Sequence, residues 1–222
     1  MSDLLIKLWQ NGILQLGIWE TIYMTLISTF FAYLIGLPVG LILRMTDRDG
    51  IHPIGWLNRT LGIIVNALRS IPFIILMVAM LPVAKFVVGT SLGNRAVIVT
   101  LVIAAAPYVA RMVESAAKEV NAGVIEAAQS MGASTLRIIC KVIIPEAKPA
   151  LITGGVISTV TILGYSAMAG TIGGGGLGQI AITYGYQKYD DQIVWLCVAL
   201  TIIIVQILQE FGMYIARRTD RR

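Results

Sequence analysis

Apolar residues in this chain fall into long unbroken runs, not the one-sided stripes of soluble helices, and charge collects between the runs. Residues 22–43 carry no charged side chain and exceed the ~20 residues that an α-helix needs to cross a bilayer core. Further runs cover residues 61–81, 92–110, 150–169 and 193–209. The third is short and contains Pro107, which predicts a kink or an incomplete crossing. Between Lys148 and Lys188 there is no charge at all, over about twice the length of one crossing. Gly170 to Gly178 supplies the break, because glycine loses the most backbone freedom in a helix. The pattern predicts an all-α polytopic membrane protein of five spans, with residues 1–222 forming a single transmembrane domain. In the first span, Gly36 and Gly40 form a small-xxx-small pair that admits another helix closely, expected within the chain before any dimer contact.

The charges orient these spans. Arg44, Arg48 and Arg59 follow the first run; Arg111, Lys118, Arg137, Lys141 and Lys148 follow the third; Arg217, Arg218, Arg221 and Arg222 follow the fifth. The opposite side receives only Lys7, Lys85, Arg95 and Lys188. By the positive-inside rule the N-terminus faces out and the C-terminus in. The composition, 57% hydrophobic and 13% charged, makes the lipid bilayer the surrounding medium. The net charge of +5 is spread between spans and forms no nucleic-acid surface. The first run is too long for the apolar core of a cleaved signal peptide and is expected to be retained. Cys140 and Cys197 fall at different depths, so no disulfide is expected.

Residues 119–145 form the longest cytoplasmic connection, and they read as structured. Asn121 can cap a helix over residues 122–131, and Gly132 stands where a left-handed residue ends one. Ser134 can cap a second helix running to Ile144, with Pro145 following it. An ordinary amphipathic interfacial hairpin would share these features.

The residues of this hairpin carry more than a fold. Glu126-Ala127-Ala128, Gly132, Val142, Ile144 and Pro145 resemble the EAA-x3-G-x9-I-x-LP signature of ABC importer permeases, with Val142 and Ile144 as conservative departures. In that family the first short helix is a coupling helix that inserts into a groove of the ATPase subunit. Two adjacent alanines would permit close approach, the carboxylate would anchor, and the glycine turn would set the angle between the helices. The resemblance implies a type I ABC importer transmembrane domain.

Residues 69–76, 105–114, 164–170 and 175–180 are further similar to the methionine uptake permease family, most densely over residues 66–185. That likeness implies methionine import across the bacterial cytoplasmic (inner) membrane by a homodimer. It also implies two cytoplasmic ATPase subunits and a periplasmic or lipid-anchored binding protein. Another small amino acid or organic solute is the alternative cargo. Because GxxxxGK[ST] is absent, ATP and magnesium belong on the partner ATPase, and this chain is expected to bind no cofactor and to be no enzyme.

Thr161, Tyr165, Ser166 and Met168 lie in the outer part of the fourth span and are candidates for the translocation path, with helix packing as the plainer role. Met168 suits a yielding gate because its thioether side chain is flexible and polarizable. Gly173, Gly174, Gly175 and Gly176 are expected to form a flexible outer turn, gate or hinge. Gly173, Gly175 and Gly178 spell GxGxxG, but they follow a span, not a strand, so a dinucleotide site is rejected. Ser166 as a protease nucleophile lacks a base, since the only histidine, His52, is in a cytoplasmic loop. An ion-coupled carrier would need ionisable groups near the midplane. Arg69 and Glu210 are placed toward the cytoplasmic ends, where they can snorkel, with an Arg69–Glu114 pair as the other option for Arg69.

Overall fold

A computed structural model describes residues 3–219. Arg221 and Arg222 of the basic tail lie outside the described residues. A short helix α1 (Asp3–Gln10) turns at Gly12 into α2 (Ile13–Thr46), the first span. α2 begins nine residues ahead of the uncharged run because Glu20, the charge that bounds that run, is hydrogen-bonded inside the protein and does not end the helix.

The second crossing is broken. α3 (Gly55–Ser70) and α4 (Phe73–Ala79) meet at 105°. Pro72 cannot donate an N–H and pushes the residue before it out of helical geometry, and Ile71 is accordingly extended at φ −78°, ψ 128°. α5 (Leu81–Val88) ends at the left-handed Gly89. α6 (Asn94–Lys118) is a complete 25-residue crossing with Pro107 inside it, so the third span is neither short nor incomplete. The apolar run stops before Arg111, but Arg111 pairs with Glu114 one turn along and the helix continues.

After α7 (Ala122–Ser130) and α8 (Thr135–Ile138), a wider π turn over Ile139–Ile143 leads into α9 (Ile144–Ala169). These last three pieces and a 3-10 turn form one helical rod, Thr135–Ile172, of 38 residues. Pro145 therefore does not end a second hairpin helix. Its missing N–H is accommodated by the π turn, where the Ile144 N–H donates to Ile139 O. After the glycine segment come α10 (Leu177–Ile180), a second π turn over Ala181–Tyr186 and α11 (Asp191–Thr219). Among the described residues four helices are long and apolar enough to cross a membrane, and the bent α3–α4 pair, taken as one span, makes a fifth.

The main core lies between α2, α6 and α9, around Met24, Leu101, Val109, Val113 and Ile162. A second core fastens α1, α10 and α11 to α9 and α2 through Leu8, Leu14, Leu163, Leu177 and Ile193. Gly36 and Gly40 do pack within the chain: a Cβ at Gly36 would stand 2.7 Å from Val109, and one at Gly40 would meet Ala110 O and stand 2.7 Å from Val113. Gly40→Leu is expected to cost about 1–3 kcal/mol by overpacking. Gly55→Ala, in open space, is its control. Thermal unfolding in detergent should show a lowered midpoint for the first variant only.

Candidate coupling and translocation site

The hairpin is built on two caps. Asn121 Oδ1 accepts the Gly123 N–H at 2.8 Å and starts α7. At the other end Gly132 is left-handed, φ +73°, with its N–H on Gln129 O at 2.9 Å and the Ala133 N–H on Ala128 O at 3.1 Å. That paired pattern is a Schellman turn, and it fixes the angle at which α8 departs. Ile125 and Ala128 face the core, whereas Glu126 and Ala127 are exposed. The two alanines thus divide: Ala128 seats the helix and Ala127 faces water. Val124, Met131 and Leu136 of the same hairpin are exposed as well, with Met131 81% and Leu136 74% accessible. Val142 and Ile144 are half-buried against the main core, and Pro145 is exposed.

Ion pairs and polar contacts fasten this end of the molecule. Lys118 Nζ lies 2.9 Å from both Asp47 and Glu114, and Glu114 also holds Arg111. Arg111 reaches α3 through Asn66 Oδ1 at 3.0 Å and Gly62 O at 3.2 Å. Glu114 is therefore committed to Arg111 and Lys118, not to Arg69. The Lys118 ammonium, and next the Arg48 N–H, hold the Asp47 carboxyl below its ordinary range. His52 Nε2 is 2.6 Å from Thr135 Oγ1, tying the loop after α2 to the start of the long rod. Ser166 lies on a different part of the rod, buried, with its hydroxyl donating to Leu163 O.

Of the path candidates, Thr161, Tyr165 and Met168 share one face of α9, spaced at helical intervals. Ser166 points into the core instead. Tyr165 stacks on Phe73 of α4, with ring centroids 4.3 Å apart and an interplanar angle of 4°. Met168 is 49% exposed. Nearby, the Arg69 guanidinium lies 5.9 Å from the centre of the Tyr108 ring.

The glycine segment is not a loose turn. Four consecutive N–H groups are satisfied: Gly174 by Ala169 O, Gly175 by Asn94 Oδ1 at 2.7 Å, Gly176 by Glu20 Oε2 at 2.8 Å and Leu177 by Thr21 Oγ1 at 2.9 Å. Asn94 Nδ2 donates to the other Glu20 oxygen at 2.8 Å. A Cβ at Gly175 would overlap the Glu20 carboxylate. One at Gly176, where φ is +93°, would be 2.8 Å from Thr21 Oγ1. Glycine here lets a backbone wrap a carboxylate. The sequence pattern alone did not single out Glu20, Thr21 or Asn94. The signal for them was a charge next to an apolar run that is too long to be ended by it.

A helical chain with a broken span, a capped hairpin on its basic end and a pinned turn on the other has the organisation of a transport permease. The profile of the binding-protein-dependent transport system inner membrane component family matches residues 36–221, and the chain belongs to that family. A probable D-methionine transport system permease protein MetI of Vibrio cholerae is 49% identical over 212 residues, covering 96% of this chain and 94% of the relative. The D-methionine transport system permease protein MetI of Escherichia coli K12 is 50% identical over 154 residues, covering 69% and 71%. A chain from inward-facing conformations of the MetNI methionine ABC transporter superposes with a TM-score of 0.94 at 45% identity, covering 100% of both chains. A chain of an amino acid ABC transporter with histidines shares the fold at 19% identity, with a TM-score of 0.79.

Proposed function

We propose that this chain is the membrane permease of a methionine-importing ABC transporter in the bacterial inner membrane. The carrying observation is the end-to-end likeness to a MetNI chain at 45% identity, joined to a hairpin that leaves Glu126, Ala127, Met131 and Leu136 exposed. The residues 119–145 serve as its coupling loop within one transmembrane domain. Two copies of the chain pair with two cytoplasmic ATPase subunits, which hold ATP and magnesium. A periplasmic or lipid-anchored binding protein delivers the cargo.

Glu126 and Ala127 present the contact to the ATPase, and Met131 and Leu136 supply apolar area around it. Gly132 fixes the angle between that contact and the rod. Because the rod has no break at Pro145, movement of the hairpin passes into the Thr161–Tyr165–Met168 face without a hinge. The turn pinned by Glu20 and Asn94 joins the rod's outer end to α2 and α6, so those helices move with it or the pins open.

Uptake of labelled methionine into right-side-out vesicles tests the class and the cargo together. Transport is expected only with ATP, the ATPase subunit and the binding protein. Uptake driven by an ion gradient without the ATPase would overturn the reading in favour of a secondary carrier.

A further inference from the structure

A long apolar groove runs over the side of α9 that is turned away from the path candidates. Its volume is about 430 Å³; Leu26 of α2, Ile152 and Val156 of α9, and Leu208 and Phe211 of α11 bound it, and Lys148 stands at one end. At about 3.6 residues per turn, Lys148, Ile152, Gly155 and Thr159 lie on nearly the opposite side of α9 from Thr161, Tyr165 and Met168. The groove therefore faces outward from the bundle. Its floor is closed, because a Cβ at Gly212 would overlap Val156 and the backbones of α9 and α11 come close there.

The walls suit a hydrocarbon chain and offer little to a polar solute. Each hydroxyl on them already donates within the protein: Thr29 to Thr25 O at 2.8 Å, Thr159 to Gly155 O at 2.8 Å and Tyr33 to Leu151 O at 3.3 Å. Along α9 the groove extends from Lys148 to Thr159, about 16 Å, which matches the roughly 15 Å of hydrocarbon in one leaflet. Spread over that length, its volume gives a mean cross-section of about 26 Å². A helix with its side chains, about 10–12 Å across, needs about 80 Å² or more, so the groove admits a chain and not a helix.

Lys148 selects the kind of lipid. It is exposed, it lies at the end of the groove nearer the basic hairpin side, and among the described residues no carboxylate pairs with it. A lysine at the end of a span reaches the headgroup level, where its ammonium binds phosphate as a point charge. We propose that the groove between α2, α9 and α11 holds one anionic phospholipid of the leaflet on the hairpin side, with its phosphate on Lys148 and one acyl chain laid along Ile152, Val156 and Phe211. The site is independent of the cargo.

The test uses the assembled transporter, with its ATPase, in phosphatidylcholine vesicles that carry a trace of phosphatidylglycerol with a diazirine on one acyl chain. After photolysis, insertion is mapped by peptide mass. It is expected in segments 26–33, 151–159 and 208–212, and unlabelled phosphatidylglycerol should compete where added phosphatidylcholine does not. Lys148→Gln should lower that labelling by about fivefold, the effect of one cation at a headgroup. Ile152→Trp, which fills the middle of the groove and leaves the charge in place, should lower it at least as much. Labelling unchanged in either variant, or equal competition by phosphatidylcholine, would overturn the site. Absence of label from these segments would overturn it too, and would mean that another protein chain covers the groove. Should the variants fail to assemble, the contrast between the two competing lipids on the wild type decides.

Discussion

Glu20→Ala is expected to lower uptake by about tenfold or more while leaving the permease in the membrane and bound to its ATPase. The Glu20 carboxylate accepts both the Gly176 N–H and the Asn94 side chain, and hydrogen bonds to an ionised group are each worth about 1.5–3 kcal/mol. Removing it leaves a part-buried N–H without an acceptor and frees Asn94, whose other atom holds Gly175. The outer turn then loses its link to α2 and α6. Glu20→Gln keeps one acceptor oxygen and should fall between the wild type and Ala. Measuring uptake and ATPase rate together checks this: a loss of uptake with ATP turnover retained is the expected split. Wild-type uptake in Glu20→Ala would mean that the pins do not matter for transport.

Gly132→Val should disconnect ATP hydrolysis from uptake. At φ +73° an L-residue is strained by about 1–2 kcal/mol, and a β-branched one by more. Nothing stands within 4 Å of a Cβ there, so steric collision with the rest of the protein contributes nothing. The whole effect falls on the Schellman turn and hence on the angle between α7 and the rod. Gly132→Asn, which tolerates left-handed geometry, is the paired control and should retain most coupling. Equal uptake per ATP in the Val variant and the wild type would remove Gly132 from the coupling path.

The sequence was most legible where one physical rule acted alone. Long apolar runs located every span, and clustered Arg and Lys residues marked the end on which the hairpin lies. The caps at Asn121 and Gly132 were readable because they act through backbone geometry of their immediate neighbours. A local signal misleads where a distant partner cancels it. Glu20 and Arg111 look like the ends of spans, yet a pinned turn hydrogen-bonds the first and Glu114 pairs with the second, so α2 and α6 run through them. Pro145 looks like a stop, and a π turn a few residues earlier absorbs it. Four successive glycines suggested looseness because their acceptors, Glu20, Thr21 and Asn94, come from far away in the chain. Ser166 and Tyr165 are neighbours in sequence, and only the helical face separates a core hydroxyl from a ring beside Arg69 and Tyr108.

The rod Thr135–Ile172 is about 57 Å long, against roughly 40–45 Å for a bilayer with its headgroups. One end therefore stands clear of the membrane as an oar handle stands clear of the gunwale. A tilt of about 5° would sweep its far end through about 5 Å at that length. A displacement of that size is comparable to the width of an amino acid, so a small rocking at the basic end suffices to change what can pass at the other.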